Sequence, residues 1–162
     1  DGGRTIIESS VIIEHLDLAH PGRTRFVPDD RRDALEVRRM DRCFDNYVMA
    51  PMMRIVFDHL RPATNRDAQG VGEARALLDT AYDWLDRELA GRDWAAGSAF
   101  GLADCAAAPA LFYADWIYEI PAKYPLLRAY RARLLKRPSF ARAVDEARYF
   151  RKYFPLGAPD RD

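Results

Sequence analysis

The sequence predicts an all-α protein, a bundle of about five helices, preceded by a short strand-helix unit that reads as the end of an α/β domain. Three observations predict it. From residue 30 onward the apolar residues recur at three- and four-residue steps, the spacing of helices. Residues 105–114, CAAAPALFYA, carry no charge on any side, which marks a helix buried in the middle of a bundle. A single β-branched run, Thr5-Ile6-Ile7, passes straight into a helical pattern at Glu8-Ser9-Ser10. One strand is not a stable unit, so the first twenty residues look like the end of a domain that begins further upstream.

Taken in order, Val11, Ile12, His15, Leu16 and Leu18 give the first helix an apolar side, and His20-Pro21-Gly22 stops it. Residues 21–30, PGRTRFVPDD, read as a linker. A long helix follows from about residue 30 to 60, with a kink expected at Pro51, whose ring crowds the carbonyl of Tyr47 and removes a donor. A second amphipathic helix runs from about Gly72 to Leu89 and presents Ala74, Leu78, Tyr82 and Leu85 on one face. The buried helix comes next. Two shorter helices start near Pro125 and Pro138, where proline suits the first turn. The expected division is 1–20 for the end of the α/β domain, 21–30 for the linker, 31–155 for the helical domain and 156–162 for a tail without pattern.

Composition excludes several functions. The 25 cationic and 25 anionic side chains cancel, so no global field favours nucleic acid or an anionic membrane. No apolar run reaches the roughly 20 residues that span a bilayer. Cys43 and Cys105 stand far apart, without disulfide or zinc spacing, which fits a reducing cytoplasm. His15, His20 and His59 form no metal-ligand spacing, and no metal is expected. Arg38, Arg39 and Arg42 lie among Glu36 and Asp41 and read as a solvated face with intrahelical pairs.

Glu8-Ser9-Ser10 admits two readings. Either serine can cap the helix, with Glu8 near its positive end. Alternatively, the free N–H groups and a hydroxyl take a ligand carboxylate while Glu8 accepts from an ammonium, which suits an amino-acid head group. Further on, Asp104 lies three residues after Gly101, the spacing at which an acid reaches back to the N–H of the cap residue. Glycine supplies no acceptor of its own, so this is half of a capping box.

In order along the chain stand "ESSVIIEHL", a proline-containing linker, "FDNYVMAPMMRIVFDHLRP", "GLADCAAAPAL" and "RPSFARAVDEA". This succession resembles the bacterial cytosolic glutathione transferases, from the end of their thioredoxin-like domain through their whole α-helical C-terminal domain. The resemblance implies a subunit that conjugates the glutathione thiolate to a hydrophobic electrophile, with glutathione as substrate, no cofactor, and a homodimeric, cytoplasmic protein. It implies that Glu8 and Ser9 hold the γ-glutamyl end of glutathione and that Asp104 is a structural cap. The pocket for the electrophile is expected from Met49, Met52, Met53, Phe57, Trp116 and Tyr153, with methionine suiting loose specificity. The residue that activates the thiol is expected upstream, and no catalytic residue is expected in these 162. Gly101 departs from the family, which usually has Ser or Thr there. Two rival readings are a non-catalytic transferase-like module for binding or assembly, and a free-standing helical bundle, which leaves Thr5-Ile6-Ile7-Glu8-Ser9 without a purpose.

Overall fold

The computed structural model describes all 162 residues. It contains helices α1 (Ser9–Ala19), α2 (Arg31–Cys43), α3 (Ala50–Leu60), α4 (Ala68–Glu88), α5 (Leu102–Ile117), α6 (Pro125–Lys136) and α7 (Pro138–Ala147), with 3-10 turns at Ala63–Asn65 and Arg148–Tyr153. No strand forms. Thr5-Ile6-Ile7 pairs with nothing, because a strand needs a neighbour for its backbone groups and none is present. Only an isolated bridge, Trp94 to Gly97, shows extended pairing.

Several helices begin as local chemistry dictates. Asp30 caps α2 by accepting from the N–H groups of Arg32 (2.8 Å) and Asp33 (3.1 Å), and Asp67 caps α4 through the N–H of Gly70 at 2.8 Å. Proline occupies the first turn of both α6 and α7. The expected kink at Pro51 takes another form. The chain runs without a break from α2 to α3 through π-helical turns at Phe44–Met49, and the N–H of Ala50 reaches Asp45 O, five residues back. Pro51 has no N–H for Tyr47 O and its ring crowds that carbonyl, and the wider turn just before it makes room.

One core unites the bundle. Met40, Phe44, Val48 and Met52 project from the continuous α2–α3 rod toward Leu78, Tyr82 and Leu85 of α4, Leu111 of α5, and Leu127, Tyr130 and Leu134 of α6. α5 lies in the centre, where buried Ala103, Ala107, Ala110 and Ala114 let its neighbours approach closely. Phe44 stacks on Tyr130 with ring centroids 6.3 Å apart.

Buried aspartates fasten the connections between helices. Asp58 accepts from Asp67 N at 2.7 Å and Asp115 from Ile120 N at 2.8 Å. Asp104, fully buried, accepts from Gly101 N (2.8 Å), Ala95 N (2.9 Å) and the Tyr130 hydroxyl (2.6 Å). It thus fixes the start of α5, the preceding loop and α6 together. The glycine before this helix has a steric reason: Leu102 N donates to Phe26 O at 2.8 Å, and a Cβ on Gly101 would stand 2.8 Å from that same oxygen. The linker therefore lies against the bundle.

Charged pairs join α4 to α2. Glu36 accepts from Arg39 at 2.7 Å through both oxygens and from Arg92 at 2.9 Å, while Glu88 accepts from the same two arginines at 2.8 Å. The bond from Arg39 is the main cause that holds the Glu36 carboxyl down at about 2. The segment 156–162 is not free of the fold. Arg161 donates to Asp115 O (2.7 Å), and Asp162 is bonded by Arg148 (2.7 Å) and, through its backbone oxygen, by Arg131 (2.9 Å).

Candidate functional site

The candidate site is the corner where α1 begins. Glu8 precedes the helix with φ 69° and ψ 122°, and it is the one non-glycine residue in the left-handed half of conformational space. Such a backbone costs about 1–3 kcal/mol and concentrates at ligand sites. No side chain caps α1, so its leading N–H groups lack that partner. Ser9 is exposed beside them, and so is Glu8.

Ser10 turns the other way. Its hydroxyl donates to the Asp41 carboxylate, 3.0 Å from either oxygen, and accepts from the Arg42 guanidinium at 2.7 Å. Arg42 also bonds Asp41 (2.7 Å) and Asp45 (2.6 Å). The Asp41 bond does most to raise the pKa of Arg42, and the Glu8 charge adds to it. Burial raises the carboxyl of Asp45. The corner thus offers anion-accepting N–H groups, a free hydroxyl and an outward carboxylate, backed by a guanidinium held in place by two acids. Those are the groups that grip a zwitterionic head group.

Sequence alone offers Ser10 as a cap or a ligand hydroxyl and does not join Asp41, Arg42 and Asp45 to it. Arg42 between Asp41 and Asp45 reads as a solvated helix face, and only the approach of α1 to α2 reveals its other neighbour.

The six residues expected around an electrophile fall into separate places. Met52 is 2% exposed and belongs to the core rather than to a pocket wall. It belongs to the same core as Met40, Phe44 and Val48 of the rod. Met49 and Met53 are half-buried against that core, and Phe57 is 58% exposed. Their spacing of four keeps Met49, Met53 and Phe57 on one side of the rod, below Asp45. Trp116 and Tyr153 line a different cleft, between α5, α7 and the last 3-10 turn, and none of the methionines touches it.

No thiol or buried phenol is held in an activated state. Burial pushes the Cys105 thiol up to about 12 and raises Cys43 as well. Both cysteines are partly rather than fully buried. Burial likewise raises Tyr82 and Tyr130. A nucleophile or thiol activator needs the opposite shift. No three acidic, thiol or imidazole side chains gather as a metal site.

Comparison with known proteins agrees with this architecture. The curated relative FtsZ-localized protein A of Caulobacter vibrioides is 28% identical over an alignment of 141 residues that covers 83% of this chain and 61% of that protein. The chain thus spans less than two thirds of that relative's length. A glutathione S-transferase from Methylobacterium radiotolerans, solved in complex with glutathione sulfonate, superposes with a TM-score of 0.76 at 29% identity, over 88% of this chain and 68% of its own. A second, from Methylobacillus flagellatus with glutathione bound, gives 0.77 at 27% identity, over 87% of this chain and 70% of its own. Residues 48–138 match the family model for the glutathione S-transferase C-terminal domain. That match covers more than half of the chain, and the protein belongs to the glutathione S-transferase C-terminal domain family.

Proposed function

We propose that the chain is the helical part of a glutathione transferase subunit, in which Glu8 and Ser9 hold the γ-glutamyl end of glutathione. The observation that carries this reading is the strained Glu8 backbone at the uncapped start of α1, where Glu8 and Ser9 are both exposed. The solved relatives described as bound to glutathione or its sulfonate support the choice of ligand. In this reading Ser9 and the helix N–H groups take the carboxylate and Glu8 takes the ammonium. The thiol activator comes from a thioredoxin-like domain, to which residues 1–20 belong, and the exposed row of Val11, Ile12 and Leu16 is the surface on which the rest of that domain packs.

The electrophile lies against Met49, Met53 and Phe57, on the rod whose Arg42 is bonded to Ser10 at the head-group corner. A second copy of the chain docks on the apolar face around Tyr47, Leu77 and Trp84, where both Tyr47 and Leu77 stand more than half exposed. The protein works in a reducing cytoplasm with glutathione as substrate and no cofactor.

A second reading, a non-catalytic module for binding or assembly, is favoured by one observation: the relative from Caulobacter is named for its localisation with FtsZ. Glutathione decides between the two. Charge-assisted bonds contribute about 1.5–3 kcal/mol each, and association costs at least ~4 kcal/mol. Two or three bonds at this corner therefore give binding no tighter than about millimolar for the 162-residue chain. Calorimetric titration should show that weak binding, and it should vanish in Glu8→Ala and Ser9→Ala. Titration with no heat at any concentration, or binding that both variants retain, would overturn the transferase reading at this corner.

A further inference from the structure

Three arginines at the far end of the bundle converge on one aspartate. Beyond Leu156, which packs against the core, the chain reads Gly157-Ala158-Pro159-Asp160-Arg161-Asp162 and holds no large apolar side chain. Charge is what fastens this segment. Arg161 donates to Asp115 O at 2.7 Å, and its guanidinium lies 3.3 Å from Glu119. Asp162 sits in the cradle of three guanidinium groups. Arg148 donates to its Oδ2 (2.7 Å) and Arg131 to its backbone oxygen (2.9 Å). Arg151 lies 3.0 Å from its Oδ1 and donates to Arg161 O (2.6 Å) and Pro159 O (3.2 Å).

The fit is incomplete. Neither Asp162 Oδ1 nor Arg131 Nη2 makes an aligned hydrogen bond, although Arg151 stands 3.0 Å from the first and Asp115 3.2 Å from the second. Ion pairs near a surface are weak and yield to salt, so a segment fastened by them alone comes away easily. Lifting it leaves an imbalance. Arg131 keeps Asp115 and Arg148 keeps Asp145 at 2.9 Å, but Arg151 keeps no acid. The emptied cradle is short of one carboxylate.

The donors define what fills it. Arg148 and Arg151 meet a side-chain carboxylate, and Arg131 takes the main-chain oxygen of the same residue. Arg151 also takes the carbonyls one and three residues earlier. A free anion has no carbonyls to offer. The set suits an aspartate within a peptide, read by charge-assisted bonds from arginine.

We propose that Arg131, Arg148 and Arg151 form a binding site for an aspartate-bearing peptide segment of a partner protein, and that residues 157–162 occupy it as a releasable strap. The probe is a fluorescent, amidated peptide with the sequence of residues 155–162, followed by anisotropy against the 162-residue chain. A tethered segment competes at an effective concentration of about 1 mM. A site that takes the free peptide at about 0.1 mM is therefore masked about tenfold in the wild type. The double variant Arg161→Ala/Asp162→Ala, which frees the strap, should bind the peptide about tenfold more tightly than the wild type. In that background Arg148→Ala, at a half-exposed position, should weaken binding severalfold. Arg151→Lys, which keeps the charge and loses the forked donors, should do so too. A peptide carrying Asp162→Ala, and a scrambled peptide of unchanged composition, should each bind severalfold more weakly. No binding to the double variant at about millimolar peptide would overturn the proposal. So would equal binding to wild type and double variant, or indifference to both arginine substitutions. Equal binding of the scrambled peptide, or full competition by inorganic phosphate at the same concentration, would reduce the cradle to a simple anion site and overturn it as well.

Discussion

The Tyr130 hydroxyl donates to Asp104 Oδ1 across 2.6 Å, inside a core where both side chains are shut off from water. The acid thereby ties α6 to the start of α5, and two backbone N–H groups complete its set. Removing it strands three buried donors, each at about 1–3 kcal/mol. Asp104→Ala should therefore lower stability by about 3 kcal/mol or more, read as a fall in the urea midpoint, while Asp104→Asn, which retains an acceptor oxygen, should lose less. An unchanged midpoint in the alanine variant would remove the clamp.

Gly101→Ser should destabilise, although serine is ordinarily the better helix cap. The new Cβ meets Phe26 O at 2.8 Å, so the linker has to move. Overpacking of this kind costs about 1–3 kcal/mol. A raised melting temperature would show that the carbonyl yields and that the cap outweighs the contact.

Acid should weaken the bond network between α2 and α4. The Glu36 carboxyl sits at about 2 in the folded chain against an ordinary 4.5. Its folded value is depressed, so its stabilising contribution is complete above the ordinary value. That contribution is lost as pH falls from 4.5 to about 2. Stability measured against pH should decline more steeply in the wild type than in Glu36→Gln over that window. Parallel curves would mean that the pair with Arg39 contributes nothing net.

The apolar face at Leu77 bears on assembly. Leu77 is 52% exposed, so Leu77→Glu leaves the core untouched. If a second copy covers this face, sedimentation should show a dimer for the wild type and a monomer for the variant. A wild type that stays monomeric at high concentration would remove the interface.

Most of the helical order was legible from spacing alone. The charge-free CAAAPALFYA run becomes the central α5, and Pro125 and Pro138 open α6 and α7 where the residues indicated. Two features were legible only in part. Thr5-Ile6-Ile7 has strand composition, but strand formation depends on partners and not on composition. Pro51 announced a disturbance, while its form as a wider turn depends on how Met40, Phe44, Val48 and Met52 all reach one core. In the candidate site, Glu8 and Ser9 stood out through their position at a helix start. The tie of Ser10 to Asp41 and Arg42 did not, because bonds between residues some thirty positions apart leave no local trace. Of the aspartates that fasten loops, Asp104 was legible through its spacing from Gly101, and Asp115 could have been noticed: the two flank an otherwise uncharged helix, and an acid there has to find donors.

The π-helical turns at Phe44–Met49 give the long rod one more residue than a plain α-helix needs to cover that distance. Winding the same residues as a plain α-helix would rotate everything before the segment by about 100° relative to everything after it. Arg42, with the bonds it makes to Ser10 and Asp45, would swing away from the side that carries Met49 and Met53. The wide turn therefore sets the phase between the two ends of the rod, and a substitution that forces ordinary winding there would shift the head-group corner against the apolar side.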